Sequence, residues 1–138
     1  MKSLVGLLVL VASLCSCTTA QTLPISPEND AFASVLERYG NMDPHSSSYS
    51  LTLTGSALVA AIETQKLLAS FGYQRLGNAK FEVISSSHPT AMVCMDLSEV
   101  VIINEEGFPV STVSNREAVF VELDKGLISK FEPLGERC

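Results

Sequence analysis

The apolar positions of this chain change period twice. From Leu4 to Leu14 they run almost unbroken, interrupted only by Gly6 and Ser13 and preceded by one positive charge, Lys2. That run is about half the ~20 residues a membrane-spanning helix needs. A short positive start, an apolar stretch of about 7–15 residues and small residues behind it predict an export signal. A helical period follows. Phe32, Val35, Leu36 and Tyr39 fall at i, i+3, i+4 and i+7 and predict an amphipathic helix. Ser26 is its expected cap, Pro27 its first position, and Glu28 and Asp30 sit where the helix dipole favours acids. Gly40 is expected to end it in the left-handed conformation. Beyond the polar loop Asn41–Ser50, with Asp43-Pro44 and a serine run, a second helix is predicted from Gly55 to Phe71. Thr54 is its expected cap and Gly72 its end. Leu58, Ile62, Leu68 and Phe71, with Ala61 and Ala69, are expected to face the core.

From there the period falls to two, the signature of half-buried strands. Phe81 and Val83 alternate with Lys80, Glu82 and Ser85, and Ala91, Val93, Met95 and Leu97 alternate with Met92, Cys94 and Asp96. The β-branched run Val100–Ile103 continues that strand or begins the next. Asn104-Glu105-Glu106-Gly107 predicts a turn, and Pro109 an edge or a strand start. Val119, Val121 and Leu123 form another strand, Asp124-Lys125-Gly126 a hairpin turn, and Leu127–Phe131 the returning strand. Helices first and an antiparallel meander afterwards predict an α+β fold. The expected architecture is two N-terminal helices packed on a curved antiparallel meander sheet, a cone that encloses a pocket. The expected division is 1–16 leader, 17–26 tether and 27–138 a single domain.

The cysteines refine the leader. Leu14-Cys15-Ser16-Cys17 resembles the lipobox of bacterial lipoproteins, with Leu at the third position before the cut and small Ser16 next to Cys17. In those proteins the Cys thiol receives a diacylglyceryl group, so Cys17 is the expected lipidation site and the outer face of the cell membrane the expected location. Cys15 fits less well, because Leu14 would precede it. The alternative is cleavage after Ala20 by the general signal peptidase, which releases a soluble secreted protein beginning at Gln21. Cys94 and Cys138 then remain in the exported part, and an even pair in an oxidising compartment reads as a disulfide. It closes a loop of about 45 residues and places Cys138, just beyond the last strand, beside Cys94 on a neighbouring strand. A reactive free thiol at Cys94 is the alternative. No CxxC and no paired histidines accompany these residues, so no metal or other cofactor is expected.

Without the leader the chain carries eight basic against fifteen acidic side chains, a formal charge of −7. That balance argues against nucleic acid, whose phosphates need a basic surface, and against electrostatic docking to anionic lipid. Its plain consequence is solubility.

From about Ala31 to Cys138 the chain also resembles a group of small secreted lipoproteins of actinobacteria with a predicted NTF2-like fold. The resemblance rests on Gly55-Ser56-Ala57-Leu58 opening the long helix, Gly72 at its end, Cys94-Met95-Asp96 in a strand, Gly107 in a hairpin and Gly135-Glu136-Arg137-Cys138 at the terminus. It implies the cone-shaped fold, export and the late disulfide, and it says little of activity. Those proteins carry Trp on the first helix and in the last hairpin. This chain has none, and Tyr39 and Leu127-Ile128 stand near the equivalent places.

NTF2-like enzymes such as ketosteroid isomerase move protons with an Asp or a His–Asp pair inside the cone. The corresponding groups here are Asp96, His88 and the tyrosines Tyr39, Tyr49 and Tyr73. Asp96 shares strand parity with Cys94, opposite to Val93 and Met95, and is expected to face solvent. His88 precedes Pro89 in an expected turn, and His45 lies in the polar loop with no partner at motif spacing. No nucleophile elbow, phosphate loop or catalytic carboxylate pair is present. The leading expectation is a lipid-anchored, non-enzymatic envelope domain that binds a protein at the cell surface or a small apolar ligand in its cone. An NTF2-like enzyme using Asp96 or His88 is the second reading. A phage- or plasmid-encoded surface lipoprotein that blocks a receptor or the passage of DNA is the third.

Overall fold

Helix α1 (Pro27–Gly40) buries the stripe that its period of 3.6 lays out: Phe32, Val35 and Leu36 are excluded from solvent and Tyr39 packs on the same core. The computed structural model describes residues 27–43, 47–112 and 115–138. The leader, Cys15, Cys17, the tether, the Ser26 cap and His45 lie outside the described residues. Gly40 is the last helical residue but does not take a positive φ. Its small size matters for a different reason, since a Cβ there would lie 2.2 Å from the carbonyl oxygen of Ala79.

A 3₁₀ helix (Ser47–Leu51) occupies part of the polar loop. Beyond it Leu53 forms a parallel bridge with Ile128, fixed by Thr54 N–H to the Ile128 carbonyl (2.8 Å) and Ile128 N–H to the Thr52 carbonyl (2.9 Å). This stitch aims helix α2 (Gly55–Ser70), and the Ser56 hydroxyl adds a bond to the Ser129 carbonyl at 3.1 Å. Thr54 does stand at the N-cap, although its side chain makes no capping bond. At the other end Tyr73 N–H reaches the Leu68 carbonyl and Gly72 N–H the Ala69 carbonyl, the paired bonds of a Schellman motif. The expected inner face of α2 needs correction. Ala57 is buried and Leu58 and Ala61 pack on the core, but Ile62 and Phe71 are 38% and 63% exposed and Ala69 is exposed too. Apolar residues lie all round this helix, so periodicity alone does not select a face. The bridge to residue 128 selects it.

The strands form two antiparallel sheets, not one meander, and neither closes on itself. The four-stranded sheet contains β2 (Lys80–Ser87), β3 (Thr90–Asp96), β6 (Arg116–Asp124) and β7 (Leu127–Pro133), in the order β2-β3-β6-β7. The three-stranded sheet holds β1 (Gln74–Leu76), β4 (Val101–Ile103) and β5 (Pro109–Thr112), in the order β1-β4-β5. Strand β1 has no counterpart in the sequence reading, because three residues carry no period. The Val101–Ile103 run neither prolongs β3 nor joins its sheet. Val100 N–H bonds the Leu97 carbonyl (2.9 Å), the chain turns, and the hairpin pairs with β1 instead. Pro109 begins β5, an edge strand. Asn104 caps the intervening turn, its Oδ1 accepting from Glu106 N–H (3.1 Å) and Phe108 N–H (2.8 Å). In the β6–β7 turn Lys125 and Gly126 both have positive φ, 50° and 79°, the I′ geometry that matches strand twist.

Alternation decides the faces of the four-stranded sheet. Phe81, Val83, Ala91, Val93, Met95, Val119, Val121, Leu123, Ile128 and Phe131 form the inner face. Helix α1 packs along β2 and α2 along β7, at opposite edges of the sheet. Phe81 and Phe131 sit on those two edges, three strand spacings or about 14 Å apart on a flat sheet. Their ring centroids are nevertheless 6.0 Å apart, and Tyr39 touches both at 5.9 and 5.5 Å. The three rings meet over the inner face at the end of α1.

Cys94 and Cys138 form a disulfide on the outer face, with Cα atoms 5.7 Å apart. The expected placement on neighbouring strands is corrected: β6 lies between β3 and β7. The tail stays paired to β6 past the end of β7, through Leu134 N–H to the Ala118 carbonyl and Ala118 N–H to the Glu136 carbonyl. Two strands away in the sheet plane would be about 10 Å. The shorter separation means that the tail folds over the outer face, where Ala118, the register partner of Cys94, is small enough to pass beneath it.

Candidate functional site

A cavity of about 240 Å³ opens where α1, the 3₁₀ helix, α2, β1 and β7 converge. Its depth is apolar: Leu53, Ala57, Ala61, Leu68 and Phe131 contribute carbon surface, and small Ala60, with Thr64 and Pro133, marks the exposed rim. The alanines create the space. Three of them on one side of α2 keep the helix close to β7 without filling the volume between.

Its polar groups are few and convergent. Tyr39 stands at the end of the buried stripe of α1, and Tyr49 is carried by the 3₁₀ helix, its O–H donating to Gln65 Oε1 on α2 at 3.1 Å. Arg75, on β1, alone carries charge among the described residues that line the cavity. Its Nε–H is buried and has no hydrogen-bond partner, the one buried side-chain polar atom so placed among the described residues. Native interiors satisfy nearly all such donors, and an orphaned one calls for an explanation. The guanidinium acts on both tyrosines. Burial pushes the Tyr39 phenol above its ordinary 10.0, Arg75 pulls it back, and Tyr49 adds a smaller upward push. Burial also raises Tyr49, against the pull of Arg75, with Asp43 pushing the same way as burial. Both phenols are therefore protonated near neutrality and can donate.

Of the described residues singled out from sequence as proton-transfer groups, Tyr39 and Tyr49 come together in this cavity, and Asp96, His88 and Tyr73 do not. Asp96 lies on the outer face, where its Oδ1 accepts from Ser98 N–H at 2.9 Å and Arg116 Nε is 4.0 Å from its Oδ2. The Ser98 hydrogen bonds, then Arg116 and Lys80, hold its carboxyl below the usual carboxylate value. His88 is exposed in the β2–β3 turn, and Tyr73 stacks on exposed Phe71, ring centroids 5.7 Å apart. Arg75 and Gln65 were missed. Arg75 follows Gly72-Tyr73-Gln74 in a strand too short for alternation to assign its face. Gln65 lies on a helix whose facing is decided by tertiary contacts. Among the described residues no cluster of three or more His, Cys, Asp or Glu is placed to hold a metal ion, and no helix is long and apolar enough to cross a membrane. Compared with known proteins, the chain matches no family model, no curated protein and no solved structure.

Proposed function

We propose that this chain is an exported envelope protein, anchored by a lipid on Cys17, whose NTF2-like cone binds a small and mostly apolar ligand without transforming it. The cavity beneath α2 carries this reading. Concave, chiefly apolar sites with a few convergent polar groups are the usual form of a ligand pocket. The contact between Phe81 and Phe131 across the width of the sheet supports the cone. The lipobox-like Leu14-Cys15-Ser16-Cys17 supports the anchor and a place at the outer face of the membrane.

The size narrows the ligand. An engineered cavity of about 150 Å³ accepts benzene, and drug-sized ligands occupy about 300 Å³ or more. A cavity of 240 Å³ suits one ring or a short chain. Titration calorimetry with 1-octanol and indole, both neutral and apolar, tests the reading. Micromolar to millimolar saturable binding is expected, and Ala60→Trp at the rim should abolish it while the fold is kept. Absence of saturable binding by either probe would refute the pocket. For the anchor, mass spectrometry of the membrane fraction should find a diacylglyceryl group on Cys17, and a mature chain starting at Gln21 would exclude it.

A further inference from the structure

Arg75 and the cavity it lines point to a more specific occupant. We infer that the pocket selects a monocarboxylic acid with an apolar body of about six to ten carbons, its carboxylate held by Arg75 and its body lying between α2 and β7. This rests on the pocket reading above and deepens it.

Three observations converge. First, Arg75 Nε–H is a buried donor with no partner. Guanidinium binds carboxylate side-on through Nε–H and one Nη–H, two parallel bonds that a lysine ammonium cannot reproduce. Nε–H is shut off from solvent in the empty pocket, so a carboxylate pairs with it as the Arg75 side chain turns toward the ligand. Second, the lining carries one positive charge and no negative one among the described residues. Arg75 is half-buried, and an anion of one charge balances it, so a carboxylate suits it better than a phosphate dianion. Third, a further donor stands at this end: the Tyr39 phenol stays protonated, while the Tyr49 O–H is committed to Gln65 Oε1 and ties the 3₁₀ helix to α2. The rest of the lining offers carbon to the ligand's body, apart from the Thr64 hydroxyl at the rim, which donates to the Ala60 carbonyl.

The test is a matched series on the full-length mature protein: octanoate, 1-octanol, methyl octanoate and octylammonium, each titrated calorimetrically at neutral pH. The series shares one body and changes only the head. Octanoate should bind about tenfold or more tighter than 1-octanol and the ester, and octylammonium more weakly than either. Arg75→Met should erase the preference for the acid, so that octanoate no longer binds tighter than 1-octanol. Arg75→Lys should keep only part of it, because the point charge remains and the side-on pair is lost. Equal affinities for octanoate and 1-octanol in the unmutated protein would overturn the inference and leave the apolar pocket standing. Failure of every member to bind would overturn both. Should Arg75→Met not fold, the head-group series on the unmutated protein still decides.

Discussion

At Gly40 the constraint is a neighbour and not a torsion: a Cβ would lie 2.2 Å from the Ala79 carbonyl oxygen and 3.1 Å from the ring of Phe81. Backbone cannot retreat as a flexible side chain can, so Gly40→Ala must push α1 away from the start of β2. Overpacking of this kind costs about 1–3 kcal/mol, measurable by urea denaturation, and a loss below a few tenths would show that the approach is looser. One residue earlier, Tyr39 is constrained by burial. Its folded phenol titrates above the unfolded value of 10.0. The folded protein therefore keeps that proton longer than the unfolded chain does. The associated stability is complete below pH 10 and is lost as pH rises through the folded value. Lys80, raised chiefly by its hydrogen bond to Glu99, works in the same direction in the same range. The informative quantity is thus the difference between proteins: from about pH 9 to about pH 11, Tyr39→Phe should lose less stability than the unmutated protein. Equal slopes would mean that the phenol is wetter than its surroundings indicate. At this scale the buried stripe of α1 was legible from its spacing, whereas the reason for Gly40 was not, because the carbonyl it accommodates lies 39 positions along the chain.

Among the elements, legibility followed local chemistry. The β6–β7 hairpin was readable because Gly126 can take the positive φ that the turn needs, and the β3 faces because alternation has only two answers. Helix α2 was readable in extent and not in orientation. Leu58, Val59, Ala60, Ala61 and Ile62 are consecutive apolar residues, and Leu67-Leu68 add another pair, so several stripes compete. Docking through Leu53 and Ser56 chose the one that leaves Val59 and Leu67 55% and 59% exposed. Val59→Lys and Leu67→Lys should accordingly shift stability by no more than about 0.5 kcal/mol, whereas a core assignment for either would require several times that. The disulfide is the opposite case, named correctly from cysteine counting and misplaced by one strand. It closes 44 residues of chain, worth about 4 kcal/mol if its effect is restriction of the unfolded state. Cys94→Ser with Cys138→Ser should lose about that amount, and the tail pairing Leu134 and Glu136 to Ala118 should loosen with it.

For the whole molecule, the site was the least legible part because it belongs to no single segment. Tyr39, Tyr49, Gln65, Arg75 and Phe131 come from five elements, and Arg75 arrives on the one strand the sequence pattern did not announce. Those elements are unequally held. Strands β3 and β6 lie in the interior of the four-stranded sheet, with Val93, Val119 and Val121 fully excluded from solvent. The three-stranded sheet packs chiefly within itself, and α2 rests on β7 and the 3₁₀ helix alone among its extensive contacts. Local opening is easiest where little apolar surface is buried. In the empty protein, amides of α2 and β1 should therefore exchange with solvent well before those of β3 and β6, which should open only with global unfolding. A ligand in the cavity touches α2, β1 and β7 together, and binding to the folded state alone stabilises it by about 2.7 kcal/mol at a hundred times Kd. Octanoate at that level should slow exchange by up to about a hundredfold in α2, around Arg75 and in β3 alike, because local opening of the site and global unfolding both release the ligand. Slowing in β3 with none in α2 or around Arg75 would mean that those segments open without releasing the ligand. Slowing confined to the disulfide-bearing outer face would place the ligand elsewhere.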